Sequence, residues 1–241
     1  MTNAATSPIK RINLITTCTK GKHLHSPFPL PQLDVNDNDD VHYLMYRWRE
    51  KLNLCIKYGN PVPAEQVYRG THWDTARQIV CDNPEVDLWV ISAGLGLLHA
   101  SESIVPYEAS FNSLPLSGSS WWAALTEGFQ EGRAAASIQK LMQARPHEIF
   151  VIAGSPTYIA AVEKDIMAGS KALNDAVTQL VIVTSAGYKG HLEGYITRSH
   201  AGMMNTLNSN MVCLNIKYAR SIIANIRGQK RNVNFAHAQN V

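Results

Sequence analysis

Four short apolar runs, each ending in small residues, constrain the fold of this chain more than any other feature. They are residues 11–17 (RINLITT), 87–93 (DLWVISA), 148–153 (EIFVIA) and 179–185 (QLVIVTS). Each is too short for a buried helix and rich in β-branched side chains, so each reads as a buried strand. Residues 211–214 read as one more. Residues 41–58 read as a helix, with Tyr43, Leu44, Arg47, Trp48 and Leu52 at three- and four-residue spacings and Asp39 or Asp40 as cap. Residues 71–81, 120–143, 157–167 and 216–226 also read as helical, Thr71 capping the first of them. Short apolar strands alternating with helices predict an α/β fold: a single domain, residues 1–241, with a mainly parallel sheet flanked by helices.

Composition narrows the class. Hydrophobic residues make up 45% of the 241, enough for a sizeable core, and charged residues only 17%, which argues against disorder. No apolar run approaches the roughly 18–20 residues that span a membrane. Residues 1–10 are polar and lack a signal core. Cys18, Cys55, Cys81 and Cys213 are widely spaced, with no Cys-x-x-Cys pair, which disfavours both zinc and a disulfide framework. A cytoplasmic setting without membrane contact is expected. His23-x-His25 lacks matched ligand partners, so no metal is expected.

The net charge of +3 is unevenly spread. Residues 217–231 hold Lys217, Arg220, Arg227, Lys230 and Arg231 and no acid. That stretch reads either as a phosphate-attracting, nucleic-acid-binding face or as a solvated helix end, with 227–241 a flexible basic tail.

Ligands of open parallel sheets bind beyond the carboxyl ends of the strands. The exits here are Thr16-Thr17-Cys18-Thr19-Lys20, Ser92-Ala93-Gly94-Leu95-Gly96, Gly154-Ser155-Pro156-Thr157 and Ser185-Ala186-Gly187-Tyr188. Small residues let backbone amides approach a ligand, and helix starts favour anions. Together the exits suggest a nucleotide-sized pocket, although strand-to-helix turns use such residues anyway. Cys18 is a thiol just past a strand, either an inert buried cysteine or a nucleophile. Residues 92–107 (SAGLGLLHASESIVPY) read as an ordered apolar loop in which Glu102 is either a catalytic carboxylate or a turn cap. Gly94-x-Gly96 lacks the third glycine and the acid of a dinucleotide fingerprint. Walker and Gly-x-Ser-x-Gly motifs are absent from the sequence, and no cofactor is called for.

Ser92, Ala93, Gly96, Leu97, Leu98, Glu102, Ile104, Pro106 and Tyr107 together resemble the signature of the YaaA-like proteins and of their shorter relatives, the DUF6884 proteins. Cys18, Lys20 and Lys22 are similar to a Cys-x-Lys-x-Lys element. Ala64, Tyr68, Gly70 and Trp73 resemble an Ala-x-x-x-Tyr-x-Gly-x-x-aromatic element, and the three occur in family order. The resemblance is good over roughly residues 11–112. It implies a shared core containing Cys18, Lys20, Tyr68, Gly70, Ser92, Gly96, Glu102, Pro106 and Tyr107. It also implies DNA binding and protection under oxidative stress, and it brings no reaction with it. The helix-hairpin-helix glycine pattern of the DNA-binding relatives is not found.

The residue types then suggest an enzyme that processes a nucleotide or nucleic acid, breaking or exchanging a base at an N-glycosidic bond. Glu102 would face the developing positive charge and act with Tyr107. Tyr68 and Tyr107 would stack on a base. Cys18, Lys20, Gly70, Ser155 and the Ser92, Gly94 and Gly96 backbone would hold phosphate or ribose. Two alternatives stay open. One is a non-catalytic DNA-binding module. The other is a nucleotide sensor within a complex, with a protein partner or a second copy of the chain.

Overall fold

The computed structural model describes residues 11–22, 30–33, 40–114, 116–128 and 133–238, with backbone only for 229–238. His23 and His25 lie outside the described residues, as does the cap candidate Asp39.

The chain begins with β1 (Ile12–Thr17), followed by α1 (Val41–Tyr58), β2 (Val62–Pro63), α2 (Ala64–Val67) and α3 (Thr71–Asp82). Then come β3 (Val86–Ser92), β4 (Gly96–His99), β5 (Ser103–Ile104), α4 (Gly118–Gly128) and α5 (Ile138–Ala144). The last part holds β6 (Ile149–Ala153), α6 (Pro156–Ser170), α7 (Ala176–Gln179), β7 (Leu180–Ser185), β8 (Ile196–Ser199) and α8 (Leu214–Ala238). The four apolar runs are β1, β3, β6 and β7, as their patterns predict. They lie in a six-stranded sheet of order β4-β3-β1-β6-β7-β8. All its pairings are parallel except β3 with β4. Helices α3 and α8 pack on one face, and α1, α4, α5 and α6 form the opposite layer. This is the single α/β domain that the alternation of runs predicts.

Burial explains the order. In β1, Ile12, Leu14, Ile15 and the polar Asn13 and Thr16 have no exposed surface. A strand this apolar on both faces is stable only at the centre of a covered sheet. Buried polar groups need partners, and these find them. Asn13 Nδ2 donates to Glu148 Oε2 (2.8 Å), and its Oδ1 accepts from Trp89 Nε1 (3.2 Å) and Arg145 (3.0 Å). Thr16 Oγ1 donates to the Ala153 carbonyl (3.1 Å).

Several boundaries differ from the sequence reading. Residues 92–107 are not simply a loop, because β4 and β5 lie within them. Gly96, at φ 76°, takes a left-handed turn that folds β4 back antiparallel on β3, Gly96 opposite Ser92. The 120–143 stretch is two helices. Gly128 closes α4, and Ser137 caps α5 by accepting the Lys140 N–H (3.2 Å). Residues 211–214 are no strand. Asn210 Oδ1 accepts the Cys213 N–H (3.0 Å), and the chain turns into α8. The cap of α3 is Gly70, not Thr71. The backbone of α8 stays helical to Ala238, through most of the expected tail. Trp121 and Trp122 are core residues.

Asp165 of α6 joins two of the helices to its own. Its carboxylate accepts the Ile138 N–H (2.9 Å) and Gln139 N–H (3.0 Å) at the start of α5, and Trp122 Nε1–H (2.9 Å) of α4. Replacing it with alanine strands three donors. We expect Asp165→Ala to lose about 2–4 kcal/mol in urea denaturation, given the strength of hydrogen bonds to charged groups. An unchanged midpoint would contradict this role.

Candidate functional site

The chain leaves β1 toward β3 on one side and later leaves β6 toward β7 on the other. The carboxyl ends of β1 and β6 therefore flank the point where strand order reverses, which opens a crevice in sheets of this kind. Gly154 keeps the two exits close, since a Cβ there would sit 3.1 Å from Thr17 Cγ2. At this crevice lies a cleft of about 610 Å³ whose lining includes Cys18, Lys20, Glu108, Ser110 and Tyr158. Lys20 is exposed at its rim. Beyond the same segment a second cleft of about 720 Å³ includes Lys22, Tyr68, Gly70 and Arg77. Lys22 pairs with Tyr68 through an isolated antiparallel bridge, so residues 18–22 run between the two clefts.

Cys18 is 8% exposed, and its Sγ lies 3.4 Å from Tyr158 Oη. Lys22 is almost wholly buried, its Nζ 4.8 Å from the centre of the Tyr107 ring and 4.0 Å from Glu108 Oε1. Burial pushes its amine below the usual lysine range, and the charges of Cys18 and Glu108 oppose that shift.

Behind them runs a chain of hydroxyls. Ser92 Oγ accepts the N–H groups of Gly94 (3.3 Å) and Leu95 (2.9 Å), which occupy its lone pairs. Its proton therefore goes to Tyr107 Oη, 2.5 Å away. Tyr107 Oη in turn shares a hydrogen bond with Tyr68 Oη at 2.8 Å. Burial, helped by neighbouring groups including Cys18, pushes the phenols of Tyr68, Tyr107 and Tyr158 far above their usual range. All three are neutral hydrogen-bonding groups at any physiological pH. On the far side of β1, His72 Nε2 meets Thr16 Oγ1 at 2.8 Å, and burial pushes its imidazole down.

The sequence-derived candidates divide accordingly. Cys18 and Lys20 line the first cleft, Tyr68 lines the second and joins Tyr107 and Ser92 in the hydroxyl chain, and Gly70 opens α3 at the edge of the second cleft. Gly94 and Gly96 are buried and serve the packing. A Cβ on Gly94 would meet the Tyr107 ring at 2.5 Å, and the Gly94 and Leu95 amides turn inward to Ser92. Ser155 caps α6 from an exposed position with no side-chain bond to the helix.

Glu102 has other partners. Its carboxylate accepts from Arg133 (3.0 Å), the His99 N–H (3.0 Å) and the Ala134 N–H (3.3 Å). Arg220 pairs with Asp82 (2.7 Å), Arg227 with Glu85 (2.5 Å), and Lys217 donates to the Asn208 carbonyl. These side chains therefore have partners within the fold, while buried Ile216, Ala219 and Ile223 pack α8 into the core. Lys230 and Arg231 lie on α8, but their side chains fall outside the described residues.

Tyr158, Glu108 and Ser110 escaped the sequence reading. Tyr158 lies on α6, 140 positions from Cys18, and no local pattern links them. Glu108 had a signal, since it directly follows Pro106-Tyr107.

At the β7 exit, Glu163 accepts from Tyr188 Oη, the His191 N–H (3.2 Å) and His191 Nδ1 (2.8 Å). Among the described residues no group of three His, Cys, Asp or Glu could hold a metal ion, and no helix is long and apolar enough to cross a membrane.

A model of the DUF6884 family, described as a family of unknown function, matches residues 55–186. The match takes in Tyr68, Ser92, Glu102, Tyr107, Glu108 and Tyr158 but begins after β1, Cys18 and Lys20. No curated protein matches the chain.

Two outcomes follow from this geometry. Glu102→Gln should cost about 1–3 kcal/mol of stability in denaturation, by weakening charge-assisted bonds; an unaltered stability would contradict the bonding described. Burial pushes the Glu163 carboxyl up, but its bonds from Tyr188 and His191 outweigh that and hold it below the usual value of 4.5. Its contribution is therefore present above pH 4.5 and fades as pH falls through the lowered value. Glu163→Gln should flatten the acid limb of the stability–pH curve, and an identical limb would contradict this.

Proposed function

The chain belongs to the DUF6884 family, and for this member we propose a nucleotide- or nucleic-acid-processing activity at an N-glycosidic bond, in the crevice beyond β1 and β6. The observation that carries the reading is the convergence of Cys18, Lys20, Glu108, Ser110 and Tyr158 on one cleft of about 610 Å³. That volume suits a ligand of nucleotide size. Lys20 offers a mobile cation to a phosphate at the rim. Tyr158 and Ser110 offer neutral hydrogen-bonding groups to ribose or base. Glu108, whose side chain is 38% exposed, takes over the part the sequence reading gave to Glu102. It faces the positive charge that grows at an anomeric carbon as the base departs.

Tyr107 has no accessible face for stacking on a base. It is fully buried, edge-on to Trp48 with ring centres 6.2 Å apart, and it positions Lys22 and Tyr68. The proposed setting is the cytoplasm, consistent with four free thiols.

The test is mass spectrometry of wild type, Glu108→Gln and Glu102→Gln incubated with nucleoside monophosphates and with plain and base-modified DNA. We expect free base from wild type and from Glu102→Gln, and a loss of at least about 100-fold in Glu108→Gln, the scale of a lost electrostatic stabiliser. Silence from wild type on every substrate overturns the enzymatic reading. If DNA is then retained with an affinity that falls steeply with salt, the reading passes to a DNA-protecting stress protein akin to the YaaA-like family. Binding of free nucleotide without turnover would instead identify a sensor.

A further inference from the structure

At the end of the sheet away from the crevice, β4 finishes beside the start of β3, with His99 opposite Trp89. A cleft of about 670 Å³ lies there, and its lining includes Glu65, Asp74, Arg77, Asp87, His99 and Ser101. It shares none of these residues with the cleft beyond β1 and β6. The turn that ends β4 is firmly held. The Ala100 N–H reaches the Leu88 carbonyl (2.9 Å), the Glu65 N–H reaches the Ala100 carbonyl (2.9 Å), and Glu102 accepts the His99 N–H (3.0 Å). The His99 ring stands edge-on to Trp89, with ring centres 4.9 Å apart.

That turn fixes a hydroxyl against a base. Ser101 Oγ lies 2.7 Å from His99 Nδ1, and the Ser101 N–H also points to Nδ1 (3.4 Å). Nδ1 is therefore an acceptor, which puts the ring hydrogen on Nε2 and turns the serine proton toward the Nδ1 lone pair. Burial pushes the imidazole below the usual histidine range, so it is neutral at pH 7 and able to take a proton. Arg145 adds to that shift, and Asp87, Glu102 and Glu65 oppose it. A serine–histidine contact within one turn is by itself local. Here it faces a cleft that also holds charges the fold does not use. Among the described residues the Arg77 guanidinium and the Glu65 and Asp74 carboxylates make no hydrogen bond or ion pair.

We propose that this cleft is a second reaction site, a Ser101–His99 esterase for carboxylic esters whose acyl group carries an ammonium. The inference does not depend on the reading of the crevice. Glu65 and Asp74 receive the ammonium, and Arg77 faces the charge that builds on the carbonyl oxygen. The Ser101 hydroxyl proton passes to His99 Nδ1 as Oγ bonds to the acyl carbon. The carbon–oxygen bond to the alcohol then breaks, and the alcohol leaves with the electron pair and takes the proton from Nδ1. Water next attacks the acyl carbon and gives its proton to Nδ1. The Oγ–carbon bond breaks, Oγ recovers the proton, and the carboxylic acid departs. Water is the only co-reactant.

The test treats the full chain near neutral pH with aminoethylbenzenesulfonyl fluoride, a serine reagent that carries an ammonium, and in parallel with the neutral phenylmethylsulfonyl fluoride. In both, Oγ bonds to sulfur and fluoride leaves. Peptide mass spectrometry follows Ser101 against Ser103, an exposed serine of the same segment. The ratio of their rates cancels the intrinsic reactivity of each reagent.

We expect Ser101 to label at least about 100-fold faster than Ser103, and His99→Gln to remove that advantage, the scale of a lost general base. Ser103 labelling at its wild-type rate reports that the variant is folded. The ratio should be at least about fivefold higher with the ammonium reagent and fall as salt rises. The proposal is overturned if Ser101 labels no faster than Ser103, or if His99→Gln keeps the advantage. Equal ratios with the two reagents overturn the ammonium-bearing substrate class. A second arm follows the release of lysine from lysine ethyl ester, expected from wild type and not from Ser101→Ala. Release that survives in Ser101→Ala, or none from wild type above the uncatalysed rate, overturns the esterase.

Discussion

The burial of β1 is the constraint on which the rest depends. Its side chains are enclosed on both faces and its backbone is paired on both edges, with β3 and with β6. A chain that places its first strand at the centre must leave toward one side and later cross to the other. That crossing creates the crevice, and it fixes what stands there. Cys18 follows β1 directly, Ser92 ends β3, and α6 begins three residues after β6 ends, which brings Tyr158 within reach of the sulfur. Thr16, by donating to the Ala153 carbonyl, ties the two flanking strands together at that edge.

The crevice concentrates groups whose charge state is set by burial. Three phenols stay neutral and hydrogen-bonded, and one amine loses part of its proton affinity. In a low-dielectric site fixed dipoles of this kind act strongly, because they need no reorganisation when charge appears nearby. Glu102 shows the opposite use of a carboxylate. Two backbone amides and Arg133 engage both its oxygens, so its charge is committed to folding the turn after β4. Glu108, six residues on and less engaged, keeps its charge at the cleft.

The central strands were legible in the sequence because burial on both faces leaves an unbroken apolar run. β4 was not, because Leu97 and Leu98 sit in a glycine-rich stretch that reads as a loop until Gly96 turns it back on β3. The segment carrying Ser92 and Tyr107 was legible as ordered, since its apolar residues had to pack. Which carboxylate stands at the cleft was not, because it is the distant Arg133 that engages Glu102, while Glu108 is left lining the cleft. Tyr158 had no local signal at all. The basic stretch of α8 read as a possible phosphate face, yet Arg220 and Arg227 are paired with Asp82 and Glu85, acids that precede them by more than a hundred positions.

The most direct measurement is a crystal structure of the protein soaked with a nucleoside monophosphate. The account predicts the ligand in the cleft beyond β1 and β6, with its phosphate toward Lys20 and its sugar against Cys18, Glu108 and Tyr158. Ligand bound elsewhere on the molecule, or an empty crevice at saturating nucleotide, would contradict it.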